Sequence, residues 1–305
     1  MPHASRGLLV AAFLLLTLVW GTTWAAIRIG LAGIAPFTGV ALRFAIAGTL
    51  LLALVPRFGI RLGRSPRERG LWVLNGLLSF CASYSIVYWS EQYIPSGLAA
   101  VLFATNPLFV AVLAHAWLPG ERLSRGAVAG LVLGFLGVAV IFSDDLRLLG
   151  SERVRAAAIV MLASPLASAL ASVAVKRWGA EVHPVSLAAV PMLICAAVVG
   201  PAAFAFERDR PLVLDARSIA ALLYLAVFGS ALTFTVYYWL LARVSASRAS
   251  LISYTIPIVA VAVGTLALDE PLRPRLIAGS ALVLAGVGAV AVFRPRGRPI
   301  PIAAE

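Results

Sequence analysis

The residues of this chain that could do chemistry are few, and most lie inside apolar runs. Tyr84, Tyr88 and Glu91 fall at i, i+4 and i+7, which puts them on one face of a helix. A carboxylate is costly at the centre of a bilayer and less so near its edge. Glu91 therefore reads as a contact for a substrate amine, a site for a coupled proton, or an interfacial acid facing water. Arg43 lies within the apolar stretch "PFTGVALRFAIAG". A buried Arg needs a partner or a water path, so it reads as an anion contact, a gate ion pair, or a side chain snorkelling to the surface. Trp20 and Trp24 are one turn apart, and Ser164, Ser168 and Ser172 form a stripe at the same spacing further on. An aromatic wall facing hydroxyls suits an amphipathic small molecule, although interfacial Trp belts and serines between packed helices use the same residues.

Pro107 and Pro257 each fall inside an apolar run. Proline removes a backbone hydrogen bond and kinks a helix, here freeing carbonyls near Phe103 and Ser253. A membrane helix tolerates this where protein or a cavity satisfies the freed group. Asn106 adds an amide beside one kink; Tyr254 and Thr255 add hydroxyls near the other. Tyr238, the counterpart of Tyr88 in the second half, completes the candidates.

Catalytic arrangements are absent from the sequence. The histidines are His3, His115 and His183, and no HExxH, GxSxG or GxxxxGK[ST] pattern occurs. Asp144 and Asp145 form a pair with no metal-site context, and Cys81 and Cys195 are isolated in apolar runs. No enzyme activity, cofactor or metal is expected.

The elements that must position these residues are set by composition. The chain is 61% hydrophobic and only 12% charged, with a mean hydropathy of +0.97. Soluble domains are about a quarter charged, so an all-α integral membrane protein is expected. Its net charge of +12 does not point to nucleic acid, because the arginines stand singly or in short clusters between apolar runs, as topology signals do. About 20 apolar residues cross the hydrocarbon. Ten such runs are expected, near 7–27, 36–55, 70–90, 95–117, 126–142, 155–175, 184–205, 218–240, 246–267 and 274–293. The first is too long for a signal-peptide core and reads as an uncleaved helix. The Arg-rich joins around Arg57 to Arg69, Arg122 to Arg125, Lys176–Arg177, Arg243 to Arg248 and Arg294 to Arg298 fall on one side. That side is expected to be the cytoplasm and to hold both termini.

The chain also repeats itself at an offset near 150 residues. Tyr88-Trp89 matches Tyr238-Trp239, Pro107 matches Pro257, and Glu121 matches Glu270. The expected domains are 7–143, with helices one to five, 154–293, with helices six to ten, and a disordered tail, 294–305. An odd number of helices per copy turns the second copy upside down. Two inverted five-helix repeats around a central cavity are an architecture of secondary transporters, and alternating access follows from it. Gly126, Gly130 and Gly134 read as a close helix-packing stripe.

The segments "LVWGTTWAAIR", "ALRFAIAG", "EQYIPSGLAAVLFATNPLFVAVLAHAWLPGERL" and "ASRASLISYTIPIVAVAVGTLALDEPL" resemble the EamA-domain branch of the drug/metabolite transporter superfamily. The resemblance covers nearly the whole chain. It implies two EamA repeats, a bacterial inner-membrane location, export of small metabolites or drugs, and a cavity lined by the first, third, fourth, sixth, eighth and ninth helices. The positions that match it are Trp20, Gly21, Arg43, Glu91, Pro107, Glu121, Pro257 and Glu270. The second half reads Asp269-Glu270-Pro271 where the first has "GER". The expected substrate site is Trp20, Trp24, Arg43, Tyr84, Tyr88, Glu91, Asn106, Ser168, Tyr238 and Tyr254, with kinks at Pro107 and Pro257. The expected function is secondary transport, outward, of an amino acid or an amphipathic drug-like compound, with a proton as the candidate coupled ion. Flipping of a lipid or lipid-linked substrate is the alternative.

Overall fold

The computed structural model describes residues 5–63, 65–141, 143, 150–210, 212–267 and 274–292. Asp144-Asp145, Asp269-Glu270-Pro271 and the tail 294–305 lie outside the described residues. Everything regular among them is helical. Seven stretches are long and apolar enough to cross a membrane: Arg6–Gly30, Pro36–Phe58, Pro66–Ser90, Leu98–Trp117, Glu152–Trp178, Pro184–Glu207 and Ala216–Arg243. Two shorter apolar helices, Arg125–Ile141 and Ile277–Val290, accompany them.

Local chemistry sets where helices start. The first, α1 (Arg6–Gly30), begins when the Ser5 hydroxyl accepts from the Leu8 amide. Pro36 opens α2 (Pro36–Leu54), at a position where its missing N–H costs nothing. Ser65 caps α3 (Pro66–Asn75). There the helix widens into a π-helical segment, π1 (Gly76–Ala82), before α4 (Ser83–Ser90). The fourth span is split into α5 (Ser96–Phe103) and α6 (Asn106–Trp117). Then come α7 (Arg125–Ile141), α8 (Glu152–Met161), α9 (Ala163–Trp178) and α10 (Pro184–Glu207). The last of the seven stretches, Ala216–Arg243, repeats the form of the third: α11 (Ala216–Ala226), a π-helical segment π2 (Val227–Leu232), and α12 (Thr233–Arg243). Short α13 (Ala246–Ser250), α14 (Ile252–Ala267) and α15 (Pro274–Val292) close the chain.

Packing follows small residues. The helices α7 and α15 touch backbone to backbone. A Cβ on Gly137 would come within 2.7 Å of the Gly279 carbonyl, and one on Gly130 within 2.8 Å of the Gly286 carbonyl. Gly48 does the same for α2 against α10, where an added Cβ would meet Leu193 at 2.7 Å. Such close approach substitutes for the hydrophobic drive that lipid cannot supply.

Carboxylates tie helix starts across the fold. Glu207 accepts from the amides of Phe37 and Thr38 (3.0 and 2.8 Å) and from the Thr38 hydroxyl (2.9 Å). Glu121 accepts from the amides of Ala246 (2.8 Å) and Ser247 (3.4 Å). Glu68 takes the Ser186 hydroxyl. Each places negative charge at the positive end of a helix dipole.

Candidate functional site

A central cavity of about 80 Å³ forms where broken helices meet. Its wall is aromatic, from Trp20 and Trp24 of α1, Tyr84 of α4, Phe103 of α5, and Phe234 and Tyr237 of α12. Hydroxyls face it from Thr23, Ser79, Ser83, Ser168, Ser172, Ser250 and Ser253, together with the Asn106 amide. The described lining holds no Asp, Glu, Lys, Arg or His.

Two helix breaks border this space. The first is the turn at Ala104–Thr105, directly ahead of Asn106-Pro107; the second is at Leu251, between α13 and α14. Proline at the second position of α6 needs no N–H of its own, so Pro107 starts that helix rather than bending it. Pro257 lies inside α14, further along than the break. Phe103 and Asn106 flank the first break, and Ser250 and Ile252 the second; all four line the cavity. At each break one helix ends and the next begins beside the cavity, with the intervening residues still in helical backbone conformation.

Specific bonds hold the walls. The Asn106 amide donates to the Pro165 carbonyl (3.0 Å) near the start of α9. The Ser83 and Ser164 hydroxyls are 2.8 Å apart. The Trp20 indole N–H donates to Thr233 (3.0 Å), and the Tyr237 hydroxyl donates to Ser172 (3.0 Å). Trp24 meets Phe103 edge-on, with centroids 5.7 Å apart.

Of the residues expected from sequence, Trp20, Trp24, Tyr84, Asn106 and Ser168 reach the cavity. Arg43, Tyr88, Glu91, Tyr238 and Tyr254 are buried behind it. Arg43 is wholly enclosed. Its Nε donates to Ser230 (2.7 Å), and its two terminal nitrogens to the Tyr88 hydroxyl (3.3 Å) and the Gly229 carbonyl (3.0 Å). Its guanidinium carbon lies 4.7 Å from the Tyr84 ring centroid, so Arg43 braces a cavity wall from outside. Gly229 and Ser230 belong to π2, where the widened turn leaves carbonyls without their usual partners. The Tyr238 hydroxyl pairs with Asn75 (2.8 Å), and the Tyr254 hydroxyl donates to the Leu131 carbonyl (2.8 Å). Glu91 is buried after the last residue of α4, and neither carboxyl oxygen has a hydrogen-bond partner among the described residues.

Sequence reasoning missed Ser79, Ser83, Phe234 and Tyr237. The i, i+4 pair Ser79 and Ser83 was a visible signal. Tyr237 sits beside Tyr238, and only the register of π2 decides which of the two faces the cavity.

The EamA-like transporter family matches residues 6–143 and again residues 155–292. The chain belongs to that family. Its relatives include an uncharacterized transporter of Archaeoglobus fulgidus, 31% identical over 88% of this chain and 93% of that protein. The uncharacterized inner membrane transporter YedA of Escherichia coli is 32% identical over 84% of this chain and 82% of its own. A probable terminal-alkyne amino-acid exporter of Streptantibioticus cattleyicolor is 29% identical over 91% of each chain. A solved crystal structure superposes with a TM-score of 0.81 at 22% identity, covering 95% of this chain and 98% of the other. The fold of this EamA-like chain is therefore one already seen by experiment.

Proposed function

We propose that this member of the EamA-like family is a secondary transporter that exports a small zwitterionic or amphipathic metabolite by alternating access, and is not an enzyme. The observation that carries the reading is the cavity itself. It sits at two broken helices, is walled by aromatic rings, and has no Asp, Glu, Lys, Arg or His in its described lining. A carboxylate is favoured at the amide end of a helix, an ammonium at the carbonyl end and over aromatic faces. An amino acid fits such a site without a charged side chain to meet it. Trp20, Trp24, Tyr84, Asn106 and Ser168 then contact substrate, while Arg43, Tyr88, Tyr238 and Tyr254 fix the walls. Export is favoured by the similarity to a protein named as a probable amino-acid exporter.

Ten spans as two inverted repeats complete the proposal. Helix ends support it. The start of α2 lies against Glu207 at the end of α10. The start of α10 instead lies against Glu68 at the start of α3. This one matched pair, α2 and α10, thus begins at opposite faces, which supports the inverted reading. We assign the Arg-rich face, with both termini, to the cytoplasm of a bacterial inner membrane.

The test is flux in proteoliposomes, scanning amino acids and cationic dyes with and without a pH gradient. Protein-dependent exchange of one neutral amino-acid class is expected. Movement of labelled lipids with no soluble flux would replace this reading by a flippase.

A further inference from the structure

Glu91 differs from every other described carboxylate in this fold. It is fully enclosed, and both oxygens lack a donor among the described residues. Glu68, Glu121 and Glu207, by contrast, all accept hydrogen bonds. Three features surround Glu91. The Arg28 guanidinium of α1 donates to the Glu91 backbone carbonyl at 2.6 Å. Arg43 of α2 is held one turn away through Tyr88. From α8 the Ala157 carbonyl accepts from the neighbouring Ser90 hydroxyl (3.4 Å).

This setting discriminates among ligands. A bare carboxylate buried without donors is expensive, and the carbonyl end of α4 repels it further. A metal cation or a substrate amine would have to sit beside two guanidinium groups that repel it. A proton has neither problem, because it neutralises the acid in place. The guanidinium of Arg28 already touches the same residue and is exposed at the helix end, so it can receive the carboxylate once the proton leaves.

We infer that Glu91 is a proton-carrying carboxyl set apart from the substrate cavity, closed and neutral in this conformation and paired with Arg28 after it ionises. The step is a simple ionisation. The carboxyl O–H bond breaks, the proton passes to water at that membrane face, and the anion forms an ion pair with the Arg28 guanidinium. Glu91 follows the third span, and burial pushes its pKa up to about 8, with Arg28 and then Arg43 opposing the rise. Only its role in coupling rests on the transporter reading; the titration does not.

The test is infrared difference titration of the full chain in proteoliposomes. A protonated-carboxyl C=O band is expected near neutral pH, lost as pH rises through about 8, and missing in Glu91→Gln. Removing the opposing charge in Arg28→Gln should move that loss to higher pH. A carboxyl already ionised at neutral pH, a band that survives Glu91→Gln, or a midpoint unmoved by Arg28→Gln would each overturn the inference. A titrating band with no solute flux would sink the transporter reading and leave this one standing. Solute flux without the band would do the reverse.

Discussion

Arg43 makes three buried hydrogen bonds, to Ser230, Tyr88 and the Gly229 carbonyl. It joins α2 to π2 and backs the ring of Tyr84. Arg43→Gln should leave the Gly229 carbonyl or Ser230 without its donor, and each buried polar group so orphaned costs about 1–3 kcal/mol. A lower melting temperature in detergent is expected. Arg43→Lys should not restore it, since an ammonium lacks the planar fork that reaches three acceptors. Asn106→Ala loses the bond to Pro165 and an amide in the cavity, and should cut exchange in proteoliposomes by about tenfold, the worth of one such hydrogen bond. Glu91 gives a pH prediction with a definite sign. Its pKa is raised from 4.5 to about 8, so the folded state binds the extra proton between those values. Stability should then fall as pH rises across that window, and the fall should be weaker in Glu91→Gln. A melting temperature with the same pH slope in both proteins would contradict this.

Among the elements, glycine contacts and helix breaks decide the architecture. Gly137→Ala puts a methyl against the backbone of α15, where no side-chain rotation relieves it. Overpacking of this kind costs about 1–3 kcal/mol, measurable as a loss of thermal stability, whereas Gly150, with open space around it, carries no comparable expectation. Much at this scale was legible in the sequence. The apolar runs located the seven membrane-length helices of the described residues, not all ten expected spans; the offset located the two repeats, and Trp20, Trp24, Ser168 and Ser172 of the two stripes line the cavity. The Asn106-Pro107 break was legible because proline acts locally. The π segments Gly76–Ala82 and Val227–Leu232 were not. A widened turn is a change of hydrogen-bond register, and no residue type encodes it. Without π2 the partners of Arg43 could not be named, since two of its acceptors belong to that segment. The break at Leu251 was also hidden. No proline marks it, and Pro257, which the sequence offers, rides inside a continuous helix.

For the whole molecule, the same contacts describe two faces and a closed middle. Glu207 fastens α2 on one face, while Glu121 fastens α13 on the other. Alternating access requires such ties to loosen in turn. Glu121→Gln weakens a charge-assisted cap worth about 0.5–2 kcal/mol, and should make its face more accessible to a soluble thiol reagent than Glu207→Gln does. The most direct test of the account uses one cysteine in the cavity. Ser168→Cys, in a chain with Cys81 and Cys195 replaced by alanine, is labelled with a membrane-impermeant maleimide in right-side-out and in inverted vesicles. Labelling is expected from both sides, with a transported amino acid slowing each. Labelling from one side alone, with or without that solute, would contradict alternating access around this cavity.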